Sequence, residues 1–170
     1  MSFSPLPGFS FRSLTEVTPD FLIAHGIKFL MLDLDNTLAP YGELQPTQAV
    51  IKWVNSIKTA GITLFFISNS KKPTRVEVFS HSLGIEYLKE ARKPSPTKLL
   101  HAISKSGYDK CEAALVGDQI YTDVLAANRA GVISIIVKPI SLKNPLLALR
   151  FACESPFRLI SMITKKRKKS

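Results

Sequence analysis

The chain alternates two kinds of segment, and this alternation restricts its fold more than any other feature. Short apolar runs stand at Ile27 to Asp33, Ile62 to Ser68, around Ile85 to Leu88, Ala113 to Gly117 and Val132 to Val137. Between them lie helical patterns at about Thr47 to Ala60, Thr74 to Leu83, Thr97 to Ser106 and Thr122 to Ala130, closed by Gly61, Gly84, Gly107 and Gly131 respectively. A glycine just past a helix accepts the left-handed backbone that stops it, so the four repeats mark boundaries as well as type. Runs of this length that are apolar throughout suit strands buried on both faces. The order βαβαβαβαβ therefore predicts an α/β fold: a Rossmann-like three-layer sandwich whose five-stranded parallel sheet is covered by helices through right-handed crossovers. In such a sheet, ligands bind beyond the carboxyl ends of the strands.

A length of 170 residues and a hydrophobic content of 45% suit one domain with a core. Residues 1–26 read as a lead-in: residues 1–17, with Pro5, Pro7 and Gly8, look irregular, and a short helix follows that Thr18 caps, Pro19 opens and Gly26 ends. Residues 27–139 hold the core and 140–170 form a tail. The longest apolar runs fall far short of the roughly 18 residues of a membrane span. The N-terminus lacks the basic and apolar regions of a secretory signal, so the cytoplasm is the expected compartment. Cys111 and Cys153 are too few for a disulfide framework or a cysteine-based zinc site, and His25, His81 and His101 share no ligand spacing.

The formal charge of +10 is concentrated at one end. From Lys138 onward nine Lys and Arg stand against Glu154 alone, so the tail carries +8 and residues 1–137 carry +2. Any affinity for a polyanion or an anionic membrane is thus expected in the tail, with nucleic acid the less favoured partner. Plotted at helical spacing, Phe157, Leu159, Ile160, Met162 and Ile163 cover one side, Arg158 and Ser161 lie opposite, and five basic residues follow from Lys165 to Lys169. Such a segment can lie on anionic lipid; packing of the helix on the core is the other reading.

Polar residues collect where the fold would place a site. The first strand runs into Asp33-Leu34-Asp35-Asn36-Thr37, and alternation along an extended chain projects Asp33 and Asp35 from the same side. Two carboxylates facing one substrate can divide the work, one ionised to attack phosphorus and the other protonated to serve the leaving oxygen. An EF-hand template fails here, because Leu38 falls at its glycine and Leu44 at its bidentate glutamate. The second strand ends in Ser68-Asn69-Ser70, whose hydroxyl, amide and backbone groups could hold phosphate oxygens. Lys93 precedes a helix and could neutralise both a phosphoryl group and a nearby carboxylate. The fourth strand ends in Gly117-Asp118 and leads to Asp123, two acids that could complete a magnesium shell; Asp123 could instead serve as a favourable charge in the first turn of its helix. Each residue alone has an ordinary structural explanation. Together they fall at strand ends in an order a phosphoryl-transfer site can use.

These motifs resemble the haloacid dehalogenase (HAD) superfamily over about Ile27 to Pro139, and more narrowly its YqeG-type class III phosphatases, related to phosphatidylglycerophosphate phosphatases. The resemblance implies a Mg²⁺-dependent phosphatase with Asp33 as nucleophile and metal ligand and Asp35 as general acid and then base. Thr37 and Ser68 would position phosphate, Lys93 would stabilise charge, and Asp118 would bind metal. Asp35 and Asp123 are included in the metal set. An acid at position 35 is found in members that hydrolyse phosphate esters and not in the dehalogenases. Only 30 residues separate Thr37 from Ser68 and 24 separate Ser68 from Lys93, so no cap domain is expected. An uncapped site suits a bulky or membrane-resident phosphoester, with phosphatidylglycerophosphate at the inner membrane face the leading candidate. The alternatives are a soluble or macromolecular phosphoester, and a non-catalytic RNA-, ribosome- or membrane-binding module with a vestigial site. A receiver-like domain would need its phosphorylated acid on the third strand, where Ile85 to Leu88 offers none at the expected place.

Overall fold

In chain order the computed structural model, which describes residues 4–69 and 73–167, runs β1 (Phe9–Phe11), α1 (Pro19–Ala24), β2 (Phe29–Leu32), α2 (Gln48–Thr59), β3 (Thr63–Ile67), α3 (Pro73–Leu83), β4 (Glu86–Leu88), α4 (Thr97–Ser106), β5 (Ala113–Gly117), α5 (Leu125–Ala130), β6 (Ile133–Val137) and α6 (Pro145–Arg167). Every strand pairing is parallel, in the order β1-β6-β5-β2-β3-β4. The sheet has six strands rather than the five expected. The sixth is β1, which lies in the stretch read from sequence as irregular. It is three residues long, pairs only with β6 at the sheet edge, and is preceded by prolines and a glycine, so neither length nor periodicity marks it. Phe9 and Phe11 each meet the Phe21 ring of α1 edge-on at 4.9 Å. The Gly8 amide donates to Ser134 Oγ at 2.9 Å, and an alanine there would press its Cβ to within 3.1 Å of the Ser134 carbonyl.

Side chains alternate across the sheet and sort into two cores. Leu30 and Leu32 of β2 join Leu64, Phe66, Ala114 and Val116 beneath Val54 and Ile57 of α2 and Val76 and Phe79 of α3. Phe29 and Met31 join Phe65, Ile67, Ala113 and Leu115 beneath Leu99, Ala102 and Ile103 of α4 and Ala126 and Ala127 of α5. Each large side chain so buried contributes about 2 kcal/mol, which is why strands apolar on both sides require helices on both sides. Local signals set the helix ends. The hydroxyl of Thr18 accepts from the Phe21 amide at 3.2 Å and that of Thr47 from Val50 at 3.3 Å, while Gly107 and Gly131 take φ of 76° and 75° past α4 and α5. The helix expected from Thr122 begins instead as one wide turn over Ile120–Val124 before α5.

The tail also departs from expectation. Arg158, assigned by helical spacing to the side opposite the apolar one, is buried at 7% exposure, whereas Leu159 and Ile160 of the apolar side are exposed. Its guanidinium donates to the Val137 carbonyl at 3.0 Å, to the Asp118 carbonyl, and to Glu154 Oε2 at 3.2 Å. Glu154, 1% exposed, also accepts from the Tyr121 amide at 3.3 Å. Backbone groups left open at the end of β6 and in the turn after β5 need partners, and an ion pair on α6 meets them; the apolar pattern alone cannot see that demand. Phe157 packs beside Ile120, Val124 and Ile136, so α6 rests on the core as the other reading held. Lys168 and Lys169 lie outside the described residues, as do the side chains of Met162, Ile163 and Lys165 to Arg167. No helix among the described residues is long and apolar enough to cross a membrane.

Removing one member of this pair strands the other charge inside the protein. Arg158→Met should therefore lower unfolding free energy by about 3 kcal/mol in urea titration, and Glu154→Leu added to it should recover much of the loss. A double variant no more stable than the single one would show that the pair itself, not the stranded charge, holds α6 down.

Candidate active site

β2 and β5 are neighbours in register, Leu32 beside Val116, and the Asp33 amide donates to the Val116 carbonyl at 2.9 Å as the chain leaves the sheet. Asp33 and Asp118 therefore emerge side by side from the two central strands. Asp123 reaches them from the wide turn after β5, and Gly117 makes room for it: a Cβ built at Gly117 would lie 2.2 Å from Asp123 Cγ. The three acids are buried and offer carboxylate oxygens all within 4.8 Å of one another. Lys93, 5% exposed, places Nζ 2.6 Å from Asp33 Oδ1, 2.6 Å from Asp123 Oδ1 and 2.9 Å from the Ile67 carbonyl, which uses all three ammonium donors. Three carboxylates against one ammonium leave this buried cluster two charges negative when all are ionised. Asp118 Oδ1 is buried without a hydrogen-bond partner among the described residues. A surplus of two negative charges, hard oxygen donors and an oxygen still lacking a partner fit a divalent ion such as Mg²⁺.

The electrostatics agree. Burial pushes the Asp33 carboxyl up to about 6, against the pull of Lys93 and with the help of Asp123. Burial, then Asp33 and Asp123, hold Asp118 well above the ordinary carboxylate range. Burial alone would lower the Lys93 ammonium, but Asp123 and Asp33 outweigh it and carry the group above its usual value. Asp33 and Lys93 thus move in the same direction for opposite reasons: Asp33 has one cation for company, Lys93 has two anions.

The remaining predicted residues divide. Asp35 lines the same cavity, of about 1010 Å³, yet its carboxylate stands apart from the three-acid cluster and is ion-paired with Arg75 of α3. Thr37 is buried and donates to Asp33 Oδ2 at 3.4 Å. Ser68 is buried at the end of β3, and its carbonyl accepts from the Ala91 amide at 3.0 Å. Asn69, expected to hold phosphate oxygens, spends its amide on Lys93: Nδ2 donates to the Lys93 carbonyl at 2.9 Å and Oδ1 accepts the Lys93 amide at 2.8 Å. Ser70 lies outside the described residues.

Three contributors were not found in the sequence. Arg75, 6% exposed, donates through Nε to the Glu43 carbonyl and through NH2 to the Pro40 carbonyl, each at 2.6 Å, besides pairing with Asp35. The available signal was a basic residue on the helix side that buries Val76 and Phe79. Asn36 adopts φ of 64°, a conformation its side chain tolerates better than most, and exchanges two hydrogen bonds of 2.9 Å with Ser141. Arg150 of α6 reaches the cavity and donates to Gln119 Oε1 at 2.5 Å.

A carboxylate nucleophile candidate, a buried lysine and acids fit for a divalent ion, at adjacent strand ends of an α/β sheet, define a phosphoryl-transferring hydrolase. The chain belongs to the haloacid dehalogenase-like hydrolase family, whose profile matches residues 12–131. It is 32% identical over 161 residues to the probable phosphatase YqeG of Bacillus subtilis, covering 95% of this chain and 92% of that protein. It is 28% identical over 149 residues to phosphatidylglycerophosphate phosphatase 1, chloroplastic/mitochondrial, of Arabidopsis thaliana, covering 80% of this chain but only 41% of that protein. Among solved structures, a putative HAD superfamily (subfamily III A) hydrolase from Legionella pneumophila superposes with a TM-score of 0.52 at 18% identity, covering 88% of this chain and 98% of that one, a likeness of fold. The chain is a HAD-type phosphatase, and its aspartate cluster is consistent with a metal-dependent mechanism through an aspartyl phosphate.

Two outcomes follow from this geometry. Because the folded state raises the Asp33 carboxyl, its contribution to stability is fully present below the ordinary carboxylate range and is lost as pH rises through about 6. A bound divalent ion favours the ionised acids, so the rise in Tm that Mg²⁺ produces over EDTA should be larger above pH ~6 than below it; a rise independent of pH would contradict this. Gly117→Ala should displace Asp123 and destabilise the fold by about 1–3 kcal/mol, with weaker Mg²⁺ affinity by calorimetry.

Proposed function

We propose that this chain hydrolyses phosphate monoesters by transferring the phosphoryl group first to Asp33 and then to water. The observation that carries the reading is the Asp33 carboxylate, fixed at the end of β2 with Lys93 at 2.6 Å and Asp118 and Asp123 beside it. In the first step an Asp33 oxygen bonds to phosphorus, the ester P–O bond breaks, and Asp35 gives a proton to the leaving oxygen. In the second, water attacks the phosphorus, Asp35 takes its proton, and the bond to Asp33 breaks to release inorganic phosphate. This role requires the Asp35 carboxylate to exchange its Arg75 partner for a proton and to face the cavity. Lys93 offsets charge at Asp33 throughout, and Thr37 and Ser68 stand beside the phosphoryl position. Asp33, Asp118 and Asp123 would hold a Mg²⁺ ion, with Asp35 at the loop edge; when bound it withdraws charge from the phosphoryl oxygens.

The substrate is read from the approach to the site. The connections 33–47 and 68–72 are too short to carry a cap, and Tyr41, Leu44 and Arg150 line a cavity wider than a phosphate needs. An apolar and cationic approach suits a lipid phosphate monoester, and similarity to a phosphatidylglycerophosphate phosphatase supports that lipid as the substrate. Cytoplasmic placement with peripheral contact at the inner face of the membrane belongs to the same reading.

The test is turnover of p-nitrophenyl phosphate and of phosphatidylglycerophosphate in mixed micelles, with Mg²⁺ and with EDTA. Asp33→Asn should lose at least about 10³-fold in both, and Asp35→Asn should accumulate phosphoenzyme from the activated ester. Unchanged turnover in Asp33→Asn would remove the covalent mechanism. Turnover of the small ester with none of the lipid would remove the substrate assignment alone.

A further inference from the structure

Among the described residues, three cations line the cavity that holds Asp33: Arg75, Lys93 and Arg150. Two of them are engaged by the protein itself. Lys93 directs its ammonium to Asp33, Asp123 and the Ile67 carbonyl, and Arg75 is paired with Asp35 and bonded to the carbonyls of Pro40 and Glu43. Arg150 differs. Its side chain is 37% exposed, and its one hydrogen bond among the described residues runs from Nη1 to Gln119 Oε1, which leaves other N–H groups of the planar fork open to a ligand.

Charge points the same way. Among the described residues the carboxylate within ion-pair distance of Arg150 is Glu154, 3.8 Å from Nε, but Arg158 holds Glu154 as well, at 3.2 Å. Two guanidinium groups against one carboxylate leave this corner one charge positive. Arg158 is buried and bonded to the carbonyls of Val137 and Asp118, so the surplus falls on Arg150, the member that opens onto the cavity. On the inner side Lys93 and a divalent ion would together balance Asp33, Asp118 and Asp123, and Arg75 balances Asp35. The wall formed by α6 is therefore a second place for negative charge, apart from the reacting centre.

The guanidinium is also held in orientation. Gln119 Oε1 accepts from Thr122 Oγ1 at 3.1 Å as well as from Arg150 at 2.5 Å, and Gln119 Nε2 donates to the Tyr41 hydroxyl at 3.5 Å. The loop after β2, the turn after β5 and α6 are thus joined along this wall. A fork placed in advance loses little freedom when it takes an oxyanion through two parallel hydrogen bonds.

We propose that Arg150 is a specificity-determining residue that pairs with a second oxyanion on the alcohol side of the substrate, a phosphodiester or a carboxylate, while the phosphoryl group reacts at Asp33. The inference rests on the phosphatase reading above and deepens it by naming the substrate class, phosphate monoesters that carry another anionic group. A cavity of about 1010 Å³ has room for both groups. Arg150 lies beyond the residues 12–131 that the family profile matches, whereas Asp33, Lys93, Asp118 and Asp123 lie within them. The shared chemistry and the choice of substrate thus occupy different parts of the chain.

The experiment compares kcat/KM of wild type, Arg150→Met and Arg150→Lys on three esters built on one framework. Glycerol 3-phosphate has no second anion, 3-phosphoglycerate has a carboxylate in place of the terminal hydroxymethyl group, and deacylated phosphatidylglycerophosphate has a phosphodiester on that hydroxyl. Wild type should prefer at least one of the two-anion esters to glycerol 3-phosphate by about tenfold or more, and Arg150→Met should abolish the preference. The preferred ester identifies the source of the oxyanion, a lipid headgroup or a small phosphorylated acid. Arg150→Lys keeps the charge but not the fork, so the preference should fall by about threefold; this variant carries the test if Arg150→Met does not fold, as judged by its Tm. No preference in wild type, or an undiminished preference in either variant, would overturn the inference. So would a loss in Arg150→Met that is equal for all three esters, since Arg150 would then serve the reacting phosphoryl group or the fold. Turnover without preference would remove this inference alone, whereas no turnover of any ester by wild type would remove the phosphatase reading and this inference with it.

Discussion

The ammonium of Lys93, held between Asp33 and Asp123 and against the Ile67 carbonyl, is the interaction on which the rest of the site depends. Without it three carboxylates would share a buried space with no cation of the chain's own, and ionising all of them would be prohibitively costly. With it the cluster remains two charges negative, a deficit suited to one divalent ion. The sheet serves this balance. Asp33 and Asp118 can meet because β2 and β5 are neighbours in register, Asp123 joins them because Gly117 has no Cβ, and Lys93 is held from the other side by the paired hydrogen bonds of Asn69. Four elements of the chain thus bring charges to one place that none could hold alone.

A second buried charge pair does a different task. Glu154 and Arg158 stand behind the site and satisfy backbone groups of the turn after β5 and the end of β6. Because Arg158 bonds the carbonyl of Asp118 itself, the position of that acid is tied to the seating of α6. The helix is therefore part of the frame of the site, although it follows the last strand of the sheet. Its inward face carries Glu154 and Arg158 because irregular backbone needs hydrogen bonds, while Phe157 packs on Ile120, Val124 and Ile136.

Much of this was legible in the sequence because it rests on short-range rules. Parallel strands buried on both faces must be apolar throughout, helix stops need glycine, and carboxylates at strand ends need a reason to be there, so the central strands, α4 and the acids 33 and 118 stand out, while Asp123 is open between a metal ligand and a charge in the first turn of its helix. The features that were not legible depend on partners distant in sequence. β1 is a strand only because β6 offers an edge. Asn69 looks like a phosphate ligand until Lys93 arrives to take both halves of its amide. Arg75 is an ordinary helical cation until the loop after β2 folds its carbonyls onto it. Helical phase places Arg158 opposite the apolar residues but cannot show that it is buried, because phase carries no information about which carbonyls the rest of the fold leaves open.

The latch between Asn36 and Ser141 ties the loop that follows the nucleophile to the segment that follows β6, and Ile140 adds a bond of 3.0 Å to the Asn36 carbonyl. The family profile ends at residue 131, short of β6, the latch and α6. A fragment cut at that point would retain Asp33, Asp35, Asp118, Asp123 and Lys93 while losing both the strap across residues 140–141 that braces Asn36 and the Arg158 guanidinium that holds the Asp118 carbonyl.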